Sequence, residues 1–159
     1  MSEAQETPKQ KVLFELEKAE HHEFAAETIW TEVLGNNKYR LLNIPLYVYG
    51  ASFGDVVEAY ENDEETSFPI VEEVVERSGH STYRIFVYEG VVDNPSFNKY
   101  WEPIEALGCS FEGQTGNKML GVDVPPEANI GIVFKLLQNG EDAEVWGFEE
   151  GNRVHATGS

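Results

Sequence analysis

Apolar and polar residues alternate with a period of two along the first half of the chain, between residues 11 and 76. The segment KVLFELE places Val12, Phe14 and Leu16 on one face, which is the pattern of a half-buried β-strand. Four similar runs follow, namely TIWTEVL, YRLLNIPL, GDVVEAY and FPIVEEVVE. The turn GNNK is typical of a hairpin, and Pro45 should take the chain out of the sheet. Five short strands with tight polar turns predict a small barrel or strongly curled sheet.

The pattern changes after residue 80. TYRIFVYE is apolar at both alternating sets of positions and predicts a strand that is covered on both faces. A helical segment, the hairpin CSFEG–KMLGVDV, a second helical segment and the strand AEVWGFEE follow. Strand, helix, strand, strand, helix, strand is the order of a ferredoxin-like sandwich. We therefore predict an α+β protein with a leader (1–10), an all-β subdomain (11–80), a ferredoxin-like subdomain (81–151) and a tail (152–159).

The two helical segments carry clear end signals. In NPSFNKYWEPIEALG, Asn94 is a candidate N-cap, and Pro103 should kink or break the helix. In PPEANIGIVFKLLQNG, Gly140 should terminate the helix. The predicted buried positions are Phe97, Trp101, Ile104 and Leu107 in the first helix and Ile130, Val133, Phe134 and Leu137 in the second. We expect Trp101, Trp146 and Phe148 to pack helix against sheet.

The cysteine content and the lengths of the hydrophobic runs indicate the cellular compartment of the protein. The chain of 159 residues contains one cysteine, Cys109, so no intrachain disulfide can form. No apolar run approaches the roughly 20 residues that a membrane helix needs, and the first residues lack a signal-peptide pattern. We therefore expect a cytoplasmic protein.

Negative charge dominates the composition. Eleven Lys and Arg residues oppose 29 Asp and Glu residues, which gives a formal net charge of −18. This balance argues against nucleic-acid binding, which requires clustered positive charge. Residues 55–76 contain nine acidic residues and no Lys or Arg. The segment either serves solubility or forms an acidic surface that attracts a basic partner.

The stretch ERSGHSTYRIF contains the densest group of polar side chains that could take part in binding or catalysis. Arg77, Ser78, His80 and Ser81 stand between two apolar runs, and three interpretations are open. Gly79 permits a sharp bend, at which these side chains would satisfy backbone groups of a structural junction. Alternatively, they contact a ligand or partner, or His80 acts in catalysis as a base.

Two other motifs contain residue types that occur in cofactor sites. Adjacent histidines in EHHE (20–23) seldom converge on one metal ion, unlike histidines one helical turn apart. YGASFGDVVEAY has two glycines but lacks the Lys and Ser/Thr of a phosphate-binding loop, so we expect Asp55 to cap backbone groups in a turn. We therefore predict no metal site and no cofactor.

Several motifs together resemble an uncharacterised bacterial domain family, a domain of unknown function. They are the W-x-E-x-L-G segment that begins at Trp30, YRLLNIP (39–45), GDVV (54–57) and VVERSGHST (74–82). ALGCSFEG and VDVPPEAN extend the resemblance, which covers residues 11–151. The resemblance implies almost nothing about activity. Many small acidic bacterial proteins serve as immunity partners of secreted toxins, which is an analogy only.

These observations favour a non-enzymatic, acidic protein-binding module, such as an immunity or inhibitor protein that neutralises a basic toxin or nuclease. The alternatives are a small-molecule-binding regulatory module and an enzyme that uses His80 with Asp55 or Glu76. The predicted partner is a protein with a basic surface, and we expect neither a nucleic acid nor a membrane as a partner. The predicted binding residues are Asp55, Glu58, Glu61, Asp63, Glu64, Glu65, Glu72, Glu73, Arg77, Ser78, His80 and Ser81.

Overall fold

The structure is a computed structural model that describes residues 7–16, 26–61, 68–113 and 118–155. The strands of the first half are β1 Lys9–Glu15, β2 Ala26–Gly35, β3 Lys38–Leu41, β4 Val56–Tyr60 and β5 Ile70–Glu76. The second half contains β6 Ser81–Val87, α1 Pro95–Glu105, β7 Ser110–Glu112, β8 Met119–Val124, α2 Ile130–Asp142 and β9 Trp146–Asn152. Within these described residues, neither helix is long and apolar enough to cross a lipid bilayer.

Strands β1 to β5 form a closed barrel. Each strand pairs antiparallel with the next, and a parallel contact between Leu13 and Ile70 closes β1 onto β5. Asn36 and Asn37 make the β2–β3 turn with positive φ angles of 56° and 62°, as a two-residue hairpin requires. The buried core of the barrel consists of Val12, Phe14, Ile29, Leu41, Val48, Ala51, Val57 and Ala59. The predicted small barrel is confirmed.

Strands β6 to β9 form a second sheet in the order β7-β8-β6-β9, in which all neighbouring pairs are antiparallel. One face of this sheet packs against both helices. The core there includes Tyr83, Ile85, Val87, Phe97, Trp101, Ile104, Leu120, Val122, Val124, Val133, Leu137 and Trp146. Trp101 and Trp146 therefore pack helix against sheet as predicted, and Phe148 lies at the margin of the same core. The proposed boundary at residue 80 stays a prediction.

Three details of the helices differ from the sequence prediction. Helix α1 continues through Pro103 to Glu105. The exposed proline removes only one hydrogen bond, near the end of the helix, and the burial of the other helix face outweighs this loss. Helix α2 continues past Gly140 to Asp142. Gly140 is buried because the Trp146 ring fills the space of a side chain at this position. Phe134 is about half exposed and packs edge-on against Phe148 instead of entering the core.

Residues 42–55, which we call the crossing segment, connect β3 to β4 and cover the face of the second sheet that the helices leave open. Arg84 of β6 donates to the carbonyl oxygen of Leu46 at 2.9 Å. Ile44 packs against Gly121 of β8, where a Cβ atom would lie only 2.9 Å from the Ile44 side chain. Strand β6 is consequently buried on both faces except at Phe86, which is 41% exposed; its continuous apolar pattern predicts this burial for the rest of the strand.

A carboxylate of the barrel holds the crossing segment in place. The two oxygens of Glu27 in β2 accept hydrogen bonds from the backbone N–H groups of Leu46, Tyr47 and Val48, at 2.7, 2.8 and 3.0 Å. Successive backbone N–H groups that converge in this way form a favourable site for an anion. Pro45 precedes this turn, which agrees with the prediction that the chain leaves the sheet there.

Replacement of Gly140 by alanine should destabilise the protein, although alanine normally favours a helix by about 1 kcal/mol over glycine. The added Cβ atom would lie 2.2 Å from the Trp146 ring, and we expect a net loss of about 1–3 kcal/mol from this overpacking. Urea denaturation of the wild type and of G140A measures the difference. A stabilised G140A variant would contradict the packing of Trp146 on α2.

Candidate functional site

The carboxylate of Asp55 is completely buried where the crossing segment enters β4. Its two oxygens accept hydrogen bonds from the backbone N–H groups of Ser52 and Ser78, both at 2.9 Å. Arg77 lies 3.4 Å from this carboxylate and donates to the carbonyl oxygen of Gly50 at 2.6 Å. Asp55 therefore caps backbone groups, as its turn position predicts. Its burial corrects the prediction that it belongs to an exposed acidic surface.

Ser78 and Gly79 shape the bend between β5 and β6. The Ser78 hydroxyl donates to the carbonyl oxygen of Phe53 at 2.7 Å and accepts from the backbone N–H of His80 at 3.2 Å. Gly79 has a φ angle of +92°, a conformation that non-glycine residues adopt only with strain. Because the Ser78 hydroxyl is engaged with the backbone, it is not oriented as a nucleophile for His80. These contacts favour the interpretation of this segment as a structural junction.

His80 pairs with Asp123 of β8, and not with Asp55 or Glu76 as the enzyme hypothesis required. The Nδ1 atom of His80 lies 2.8 and 3.0 Å from the two carboxylate oxygens of Asp123. Phe53 contacts the imidazole edge-on. Burial raises the pKa of the Asp123 carboxyl, His80 opposes this rise, and Glu112 and Glu127 add to it. The pair connects the junction to the middle of the second sheet.

Ser81 and His155 form a second polar contact that the sequence does not indicate. The buried Ser81 hydroxyl oxygen accepts from the backbone N–H groups of Val154 and His155, at 2.8 and 3.1 Å. Its proton is therefore available for Nδ1 of His155, 2.6 Å away, while Nε2 of His155 lies 2.8 Å from the carbonyl oxygen of Pro125. The hydroxyl uses its whole hydrogen-bonding capacity. Ser81 thus anchors the residues after β9.

The described residues place no available nucleophile beside the His80–Asp123 pair. Ser78 bonds to the backbone, and Cys109 is buried with a pKa raised to about 12 by burial and by Asp123. Its thiol therefore stays protonated near neutral pH. Within the described ranges, no three His, Cys, Asp or Glu side chains are grouped to hold a metal ion. The EHHE motif at residues 20–23 lies outside the described residues.

Acidic side chains gather on the outer side of β4 and β5. The backbone register places Glu58 of β4 directly opposite Glu73 of β5. Glu58 accepts a hydrogen bond from the hydroxyl of Tyr60. This bond is the largest cause of the raised pKa of Tyr60, and the negative charges of Glu72 and Glu73 raise that pKa further. We call Glu58, Tyr60, Glu72 and Glu73 the acidic face. Three carboxylates and one tyrosine hydroxyl thus lie close enough together to influence one another electrostatically.

The acidic face carries little internal compensation. Lys38 of β3 lies opposite Glu58, yet within the described part of the chain no salt bridge reaches a carboxylate of the acidic face. Glu61 and Glu76 are exposed at the ends of the same strands. The predicted binding residues Asp63, Glu64 and Glu65 lie outside the described residues.

Comparisons with known proteins give a family and a fold. A model of the family described as Domain of unknown function (DUF4265) matches residues 27–148. A comparison with curated proteins finds no match. Among solved structures, the crystal structure of a hypothetical protein from Neisseria gonorrhoeae is similar, with a TM-score of 0.74 and 18% identity. The similarity covers 97% of this chain and 100% of that chain, and at this identity it supports the fold alone.

The raised pKa of Asp123 predicts a pH dependence of stability. Because the folded chain binds this proton more tightly than the unfolded chain, the contribution of Asp123 is fully present below its ordinary pKa of 3.8. It is lost as pH rises through the raised pKa. The free energy of unfolding of the wild type, minus that of D123N, should therefore fall as pH rises.

Urea denaturation across about pH 3 to 5, below the range in which histidines usually change charge, measures this difference. D93N, which removes the same charge from an exposed turn, serves as the control for the general effect of net charge. A difference between wild type and D123N that increases over this range would contradict the burial of the Asp123 carboxyl.

Proposed function

The chain belongs to the family described as Domain of unknown function (DUF4265), and we propose that it is a protein-binding module that captures a basic partner. The contact surface is the acidic face on β4 and β5. The observation that carries this proposal is the direct opposition of Glu58 and Glu73 across two paired strands. Like charges in this arrangement destabilise a sheet, so they are better explained by an attraction to another molecule than by folding.

Tyr60 adds an anchor to this charge. Its side chain is 40% exposed at the end of β4 and its hydroxyl donates to Glu58, and tyrosine is enriched among residues that contribute most to protein interfaces. The Tyr60 ring can stack on a lysine or arginine side chain of the partner, while the surrounding carboxylates pair with the positive charge of that side chain. The combination suits a basic protein surface better than a small cation, because the groups are spread along two strands.

The mechanism that we propose is electrostatic capture followed by occlusion. The net charge of −18 attracts a positively charged partner over a distance and accelerates their encounter. Short-range contacts at the acidic face then fix the orientation. A partner whose basic groups form its active site would be blocked, as by an immunity or inhibitor protein that neutralises a toxin or nuclease.

We further infer that the second sheet and its two helices form the ferredoxin-like sandwich expected from the sequence. The order β6, α1, β7, β8, α2, β9 and the strand order β7-β8-β6-β9 support this assignment. Both helices pack on one face. In this arrangement the barrel presents the acidic face, and the sandwich forms the larger core.

The proposal predicts that a basic partner binds in a manner that depends on the acidic face. Extract from the source organism is passed over three immobilised proteins, namely the wild type, the variant E58Q/E72Q/E73Q and the control E102Q/E105Q/E144Q. The control removes three exposed carboxylates from α1 and the turn after α2, so both variants lose the same charge. Quantitative mass spectrometry should show a basic protein whose capture falls at least about tenfold for the first variant only.

Repetition at about 0.05 M and 0.15 M salt tests the electrostatic mechanism, because screening weakens exposed charge pairs. Capture of the partner should decrease at the higher salt concentration. If the three proteins retain the same set of partners, or if capture is indifferent to salt, the acidic face is not the binding surface.

A further inference from the structure

Arg84 lies in β6, on the sheet face that the crossing segment covers. Only 3% of this residue is exposed. Its Nη1 atom donates to the carbonyl oxygen of Leu46 at 2.9 Å, and the ring of Tyr49 stacks on the guanidinium at 4.2 Å. A guanidinium has five N–H donors and remains charged. A buried arginine therefore needs further acceptors or a compensating anion.

The opposite edge of the guanidinium has unused donors. Glu149 of β9 forms an ion pair with Arg84, with one oxygen 3.0 Å from Nε. This oxygen lies off the N–H direction, so Nε and Nη2 have no hydrogen-bond partner among the described residues, although both atoms are buried. Nε and Nη2 point in parallel and form the fork that binds a carboxylate through two oxygens. The fork is thus compensated in charge but not in hydrogen bonds.

Two exposed side chains separate this fork from solvent. Tyr49 and the Glu149 side chain are 57% and 52% exposed, and the Tyr49 hydroxyl donates to the same Glu149 oxygen at 3.2 Å. Gly151 of β9 lies next to the fork, since a Cβ atom there would be 3.5 Å from Nη2, an ordinary van der Waals distance. Three donors, Nε, Nη2 and the Tyr49 hydroxyl, therefore surround the position where the half-exposed Glu149 carboxylate now lies, and only the hydroxyl has a hydrogen-bond partner there.

We propose that the Arg84 fork and the Tyr49 hydroxyl bind the carboxylate of a small organic acid, which displaces the Glu149 carboxylate. Glu149 then acts as an internal substitute that holds the site in the absence of ligand. A planar carboxylate matches the two parallel donors. A monoanion is favoured over a phosphate dianion because the chain already carries a net charge of −18. This site is separate from the acidic face and does not depend on the proposed protein binding.

Acetate is the probe, and acetamide is its uncharged counterpart. The ¹⁵N resonance of Arg84 Nε is followed by NMR while each is added to the wild type and to E149Q. We expect acetate to shift this resonance to saturation, and E149Q to bind acetate about tenfold more tightly because the internal carboxylate no longer competes. Acetamide should leave the resonance unchanged. The control E150Q removes a neighbouring charge that pairs with Arg153 and should bind acetate like the wild type.

Further variants in the E149Q background test the individual donors. R84K keeps the charge but lacks the fork, so saturable acetate binding, followed through backbone amides of β9, should disappear. Y49F keeps the exposed ring and the fold but removes the hydroxyl, and it should weaken acetate binding several-fold. The proposal is overturned if E149Q shows no saturable shift with acetate, if phosphate binds E149Q more tightly than acetate does, or if Y49F binds acetate unchanged.

Discussion

The buried carboxylate of Asp55 is the contact on which the arrangement of the two sheets depends. It accepts backbone hydrogen bonds from Ser52 in the crossing segment and from Ser78, two residues after β5, so it joins two stretches that the sequence separates by more than 20 residues. A carboxylate can lie in such a place only when its hydrogen bonds are made. The bend at Ser78 and Gly79 and the start of β6 follow from this connection.

The acidic residues of this chain consequently divide into two groups. The half-buried Glu27 and the buried Asp55 and Asp123 hold the crossing segment, the junction and His80, respectively, through hydrogen bonds. Glu58, Glu72 and Glu73 lie on the outside of the barrel without a described salt bridge. The first group stabilises the fold. The second weakens it locally, and binding of the proposed basic partner would offset this repulsion.

The sequence predicted the strands well because alternation reports directly which side chains face a core. Local signals failed where a distant group decided the outcome, as for Gly140, whose space is filled by Trp146. A count of charges could not separate the fully buried Asp55 from the half-buried Glu58, since both stand in the same acidic segment. The pairing of His80 with Asp123 joins residues 43 positions apart, and no spacing rule indicates such a contact. The open fork of Arg84 is likewise visible only once three segments are packed together.

The division of the carboxylates is tested most directly by the free energy of unfolding of D55N and E73Q, measured side by side in urea. Each variant removes one negative charge from the same segment. D55N should lose about 3 kcal/mol, because the amide NH2 group would face one of the two buried backbone N–H donors, which would lose its acceptor. E73Q should be unchanged or gain up to about 0.5 kcal/mol, since the repulsion with Glu58 is relieved. Similar losses for both variants would contradict the separation of internal, stabilising carboxylates from external carboxylates that are free to bind.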